Sequence, residues 1–234
     1  QRQTLDQIAR EEFERMALRT EVEIAHRLET VEYALRGARG LYATGQSVDR
    51  GAFRRYVLSR DMDKEFPGVR GMGFIQRVER TDLDTFVATE RADAAPDFAI
   101  RHLVDMKYAD LFVIKLIEPA AKNIGALGLD LGSEAMRRAG IQQAINTGST
   151  TVTGSITLVR DSKKSPGVLL FVPVYRYGAP IDVPHQRRAA LVGLVYAPIV
   201  LDEILQAMPD VESGLLDFEM LDAPINATGG TLMF

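Results

Sequence analysis

The sequence predicts an α+β protein: one long helix, then a body of short strands and helices built on an antiparallel sheet. Three observations predict it. Residues 1–36 contain no proline or glycine and repeat mostly apolar residues every three or four positions. From Gly37 onward the texture changes to short apolar runs separated by proline, glycine and Asp/Asn clusters. Between 150 and 199, three strand-like runs follow one another with only polar or proline-bearing turns between them.

The N-terminal stripe runs through Leu5, Ile8, Phe13, Met16, Thr20, Ile24, Leu28, Val31 and Leu35. A helix of ~35 to 40 residues at 1.5 Å each is roughly 55 Å long, longer than most helices kept inside a small domain. It either projects as a stalk or packs along its own domain, and the two uses are compatible. After the turn "EFPGVR", "GMGFIQRV" (71–78) alternates as a half-buried strand does, and "TDLDTFVATERAD" reads as a helix capped by Thr81 or Asp82. "FAIRHL" and "FVIKLIEP" are further strands. "SEAMRRAGIQQAINTG" (133–148) reads as a helix with Ser133 as N-cap, a stripe of Met136, Ile141, Ala144 and Ile145, and Gly148 as its stop. "TTVTGSITLV", "GVLLFVPVYR" and "AALVGLVYAPI" then give an antiparallel sheet with one face packed on helices. "VLDEILQAM" (200–208) is a linking amphipathic helix, and "GLLDFEMLDA" opens a second sheet. The expected division is therefore a helix over 1–43, a main domain over 44–199, a linker helix over 200–208, and the start of a second small domain over 209–234. The chain is expected to be a piece of a longer one, because it begins inside a helical pattern and stops at "GGTLMF".

Composition removes several function classes. With 28 basic and 32 acidic residues, a net charge of −4 gives no general attraction to a polyphosphate, so no nucleic-acid partner is expected. The absence of cysteine removes thiol nucleophiles and thiolate metal sites. His26, His102 and His185 stand far apart with no ligand spacing, so neither a metal nor a cofactor is expected. No run approaches the ~20 apolar residues of a membrane span. There is no phosphate-binding glycine loop, nucleophile elbow or His-Glu-x-x-His helix. The paired acids Asp82/Asp84 and Asp202/Glu203 read as solvated helix faces, and no catalytic residue is assigned.

The residues also carry a family resemblance. "FRRYV", "FPGVRGMGFIQRVER", the segment "IEPAAKNIGALGLDLGSEAMRRAGIQQAINTGSTTVTGSITLV" and "GVLLFVPVYR" occur in that order from Phe53 to about Ile204. In this the chain resembles the CHASE family, extracytoplasmic ligand-binding modules of bacterial receptors and plant cytokinin receptors. The most specific pieces are the Pro67-Gly68 turn, the helix-to-strand passage at 137–153 and "PVY" at 173–175. The resemblance implies a long helix rising from the membrane and tandem PAS-like domains with antiparallel sheets, the second partial here. It also implies a sensor region on the periplasmic side of the inner membrane, with flanking transmembrane helices outside this chain, which binds a small organic ligand. The output would be a histidine kinase or diguanylate cyclase, and the domain itself is not an enzyme. The alternative is a structural dimerisation or protein-binding module. Either reading accommodates a homodimer through the N-terminal helix.

Asp130, alone in "NIGALGLDLGS", aligns with the aspartate that receives the ligand in cytokinin-binding relatives. A carboxylate accepts two N–H bonds side by side, and Gly128 and Gly132 permit close approach. Capping the following helix is the equal alternative. Strand alternation sends one of Val152 and Thr153, and one of Phe171 and Val172, inward. Phe171 stands where the cytokinin type has threonine, which argues against a cytokinin. Gly193 leaves room under a ligand or marks a bulge, and Met72 and Phe74 line a cavity or the core. Arg77, Arg137 and Arg138 meet an anionic ligand or lie solvated or paired on the surface.

Overall fold

The computed structural model describes residues 2–45, 48–105, 108–158, 165–206, 208, 211, 221–222 and 231–232. The apolar repeat forms a single helix, α1 (Arg2–Gly40), closed by a 3-10 turn at Leu41–Thr44. Two short helices follow, α2 (Arg50–Leu58) and α3 (Met62–Glu65). Asp49 caps α2 by accepting from the Ala52 N–H at 2.6 Å. The body continues with β1 (Met72–Glu79), α4 (Leu83–Ala92), β2 (Arg101–His102), β3 (Asp110–Glu118), α5 (Ala120–Asn123), β4 (Leu129–Asp130) and α6 (Ala135–Thr147). After α6 come β5 (Thr151–Val152), β6 (Ile156–Leu158), β7 (Ser165–Tyr175), α7 (Pro184–Ala190), β8 (Leu191–Val200) and α8 (Leu201–Gln206). A small antiparallel pair, β9 (Leu221–Asp222) and β10 (Thr231–Leu232), lies late in the chain.

The sheet runs β2-β4-β3-β1-β8-β7-β5, with β6 also beside β7. Every pairing is antiparallel except the two-residue β2–β4 contact. The chain is thus α+β with a long N-terminal helix, as its sequence predicts. The expectation that helices cover only one face of the sheet is corrected. On one face Val168, Leu170, Val172 and Val195 form a core with α1, α2 and α8. On the other, Leu169, Phe171, Leu194 and Tyr196 form a core with α6. The reason lies in "GVLLFVPV": a strand apolar at every position is one buried on both faces, so both Phe171 and Val172 point inward.

The two halves of α1 differ in burial. From Thr20 onward one stripe packs on the sheet, with Val31, Ala34, Leu35 and Ala38 buried against β7 and β8. Ahead of Thr20, the described side chains from Gln7 to Arg19 are exposed, Met16 alone being partly covered. The expected second domain over 209–234 lies outside the described residues, apart from Val211 and the β9–β10 pair.

Candidate ligand site

Asp130 closes β4 and turns the chain toward α6. Its carboxylate is 4% exposed. Oδ1 accepts from the Phe112 N–H at 2.9 Å and the Gly132 N–H at 3.0 Å, and Oδ2 stands 3.2 Å from His102 Nδ1. Asp130 therefore ties β3, β2 and the turn before α6 together. A Cβ on Gly132 would meet Phe112 Cδ2 at 2.8 Å and Arg138 at 2.9 Å, so protein side chains fill the space beside that glycine. Ser133 is not the N-cap of α6. Its hydroxyl donates to Asp130 O at 2.7 Å and accepts from the Leu103 N–H at 2.8 Å. Glu134 caps instead, accepting from the Met136 and Arg137 N–H groups. The helix starts one residue later than its sequence suggests, and Met136 turns outward. Gly148 ends the helix in the left-handed region, as expected.

The two arginines of α6 are paired, but buried and not on the surface. Arg137 bonds Glu134 at 2.9 Å and Thr157 O at 2.7 Å. Arg138 lies 3.7 Å over the Tyr108 ring, bonds Gly132 O and pairs with Asp110. Asp110 also receives Arg77 Nε at 2.7 Å. Burial pushes the Asp110 carboxyl up, but its hydrogen bonds and charge pairing with Arg77 and Arg138 outweigh burial and hold it below the usual carboxylate range.

Beside the Arg77–Asp110 pair, a cleft of about 160 Å³ opens between the sheet and the helices α6 and α7. Phe112, Ile145 and Leu191 make its apolar floor, and Gln142, Asn146 and Arg188 reach over it. Arg188 Nε donates to Asn146 Oδ1 at 2.9 Å, which bridges α7 and α6 across the rim. Deeper in the same helix–sheet layer, the fully buried Tyr196 hydroxyl has no hydrogen-bond partner. Burial pushes its phenol far up, so it stays neutral and able to donate.

The other sequence candidates divide between faces. Thr153 and Phe171 are buried beneath Gly140 of α6, and the Thr153 hydroxyl accepts from the Leu169 N–H at 3.0 Å. Val152 points to solvent. Met72 and Phe74 belong to the core on the α1 face, and a Cβ on Gly193 would meet the Phe74 ring at 2.4 Å. The structure thus brings Asp130, Thr153 and Phe171 to one side of the sheet and Met72, Phe74 and Gly193 to the other. Sequence reasoning missed Asp110, Asn146, Arg188 and Tyr196. The signal for Asp110 is faint: an acid at the mouth of an apolar strand, matched to Arg77 only through the β1–β3 register.

A family model, the CHASE domain, matches residues 46–234. The chain belongs to the CHASE domain family. CHASE domains are extracytoplasmic sensor domains of receptors. No curated protein matches the chain closely enough to stand beside it as a relative. Among the described residues of the CHASE domain and its leading helix, no cluster of His, Asp and Glu is arranged to hold a metal, and no helix is long and apolar enough to cross a membrane.

Proposed function

We propose that this CHASE domain is the periplasmic sensor of a transmembrane receptor whose output is a histidine kinase or diguanylate cyclase. Its ligand is a small polar organic molecule bound in the α6 cleft. The observation that carries the reading is the cleft's make-up: an apolar floor under Gln142, Asn146 and Arg188, with the Arg77–Asp110 pair at its side, in a family of sensors. Its volume is close to that of an engineered cavity that holds one benzene, ~150 Å³, so a compact ligand fits better than a tailed purine. Asp130 holds the turn that sets Phe112 and α6 around the cleft, with Thr153 and Phe171 behind its wall. Tyr196 supplies a hydroxyl to any ligand that reaches the layer behind the floor.

The same strands face both the site and the signalling helix: β8 sends Leu194 toward α6 and Val195 toward α1. A ligand that prefers one spacing of sheet and helix therefore biases α1 by its differential affinity. A homodimer through α1 completes the reading. Ile8, Leu18, Val22 and Tyr33 are exposed and fall on one side of α1, roughly opposite the stripe that packs on the sheet.

The test is a thermal-shift screen of small polar metabolites on the wild type and on Gln142→Trp. Gln142 is exposed on α6, and the substitution fills the cleft mouth with the chain's only tryptophan. A compound at ~100 times its dissociation constant should stabilise the wild type by about 2.7 kcal/mol and leave Gln142→Trp unchanged. Equal stabilisation of both proteins places binding elsewhere, and no stabilisation by any compound favours the interaction-module alternative.

A further inference from the structure

The opposite face of the sheet holds a second cleft, of about 350 Å³, where the end of α1 meets the strands. One wall is a stacked aromatic pair, Tyr42 of the 3-10 turn and Phe74 of β1, with ring centroids 4.3 Å apart and planes at 18°. Tyr177, 80% exposed, stands at the rim beside Val192. Such walls suit a flat ring, and the volume exceeds what one bare ring needs.

The polar groups fix the sign of the charge. Lys115 and Arg176 line the cleft, and no carboxylate does among the described residues. Glu90 lies behind Lys115 and is fully buried, yet Arg50 at 2.6 Å and Lys115 at 3.0 Å already answer its charge. Asp93 adds a second acid near Arg50 at 3.9 Å, so this cluster of two cations and two acids is balanced. Arg176 is not part of that balance. It donates to Ala189 O at 3.2 Å, and no acid among the described residues pairs with it. The Tyr42 hydroxyl is buried without a hydrogen-bond partner. Burial, with the negative charge of Glu90, pushes its phenol far up and keeps it a neutral donor. A neutral buried donor without an acceptor is costly, and a ligand oxygen relieves that cost.

We infer that this cleft is a second binding site, for a small aromatic carboxylate whose ring lies along Tyr42 and Phe74 and whose carboxylate meets Lys115 and Arg176. The site goes beyond the α6-cleft reading and does not depend on it. Its occupant touches the turn that directly follows α1, so it acts on the signalling helix without passing through the sheet.

The experiment is a ¹H–¹⁵N titration of the chain with benzoate and 4-hydroxybenzoate, using benzamide and benzamidine as controls. At about 10 mM even a millimolar ligand nears saturation. Saturable shifts at the Gly45, Lys115 and Val192 amides with the carboxylates, and not with either control, are expected. Arg176→Gln, at an exposed residue, should weaken binding roughly tenfold, the scale of one charge-assisted hydrogen bond. Val192→Phe, which narrows the cleft without changing charge, should weaken it as well. The inference is overturned by any of three results: no shift at those amides with either carboxylate, equal binding of benzamidine, or binding that neither variant weakens. Shifts confined to Phe112 and Asn146 also overturn it, and they leave the α6-cleft reading standing.

Discussion

Asp130 is a buried carboxylate, 4% exposed, at the turn between β4 and α6. Its sequence context allows a ligand reader or a structural anchor, and both need a carboxylate between glycines. The structure engages Oδ1 with two backbone N–H groups, so Asp130→Ala strands two buried donors and should cost about 2 to 6 kcal/mol at ~1–3 each. Asp130→Asn keeps an acceptor oxygen and should cost less than half of that, which urea denaturation of both variants measures. Tyr196→Phe should behave in the opposite way. Its hydroxyl has no partner, so the variant should be as stable as the wild type or about 1 kcal/mol more so, and a clear loss of stability would reveal a hydrogen bond. Asp110 gives a pH signature. Its folded carboxyl titrates below the ordinary ~3.9 of an aspartate, so its stabilisation is whole above that value and is lost as pH falls through the folded pKa. Asp110→Asn should therefore lower stability at neutral pH and flatten the acid side of the stability curve. None of these partners is visible in the sequence, because Arg77 and Arg138 reach Asp110 from a different strand and from a helix. The lone Lys115 inside "FVIKLIE" and Glu90 four residues after Phe86 on α4 were better clues to a buried ion pair.

At the scale of elements, periodicity identified α1, β1, α4, β3, α6, β7 and β8 with ends off by one to a few residues, since each is long enough for its pattern to show. "FAIRHL" shrank to β2, and "TTVTGSITLV" split into β5 and β6, because two or three residues against a strand end are settled by the partner and not by propensity. The stripe on α1 was legible, but its division between a packed half and a projecting half was not, as both halves repeat at the same spacing. Removing residues 2–18 should leave the melting temperature of the monomer within about 2 °C of the wild-type monomer's, because the described side chains there bury almost nothing. Cutting into Val31–Ala38 should unfold the domain. Leu18→Glu with Val22→Glu changes two exposed side chains and should convert a dimer to a monomer in sedimentation without altering the fold. A monomeric wild type at micromolar concentration would remove the α1 dimer from the account for the isolated chain.

For the whole molecule, the doubly covered sheet is the feature through which the proposed site would reach α1. One face of β7 packs on α6 and the other packs on α1, and neighbouring side chains of one strand cannot shift independently in a packed interior. The family and the α+β class were legible from the order of motifs and the change of texture after Gly37. The clefts were not, because each joins residues more than 100 positions apart that only the strand order brings together. On the proposed function, a ligand in the α6 cleft is felt by α1. Hydrogen exchange of the wild type, with and without a saturating amount of the compound that most raises its melting temperature, tests it directly. Slower exchange in α6 and α7 is expected, together with a change in the Val31–Ala38 segment of α1. Protection confined to α6 and α7, with Val31–Ala38 unchanged, would contradict it.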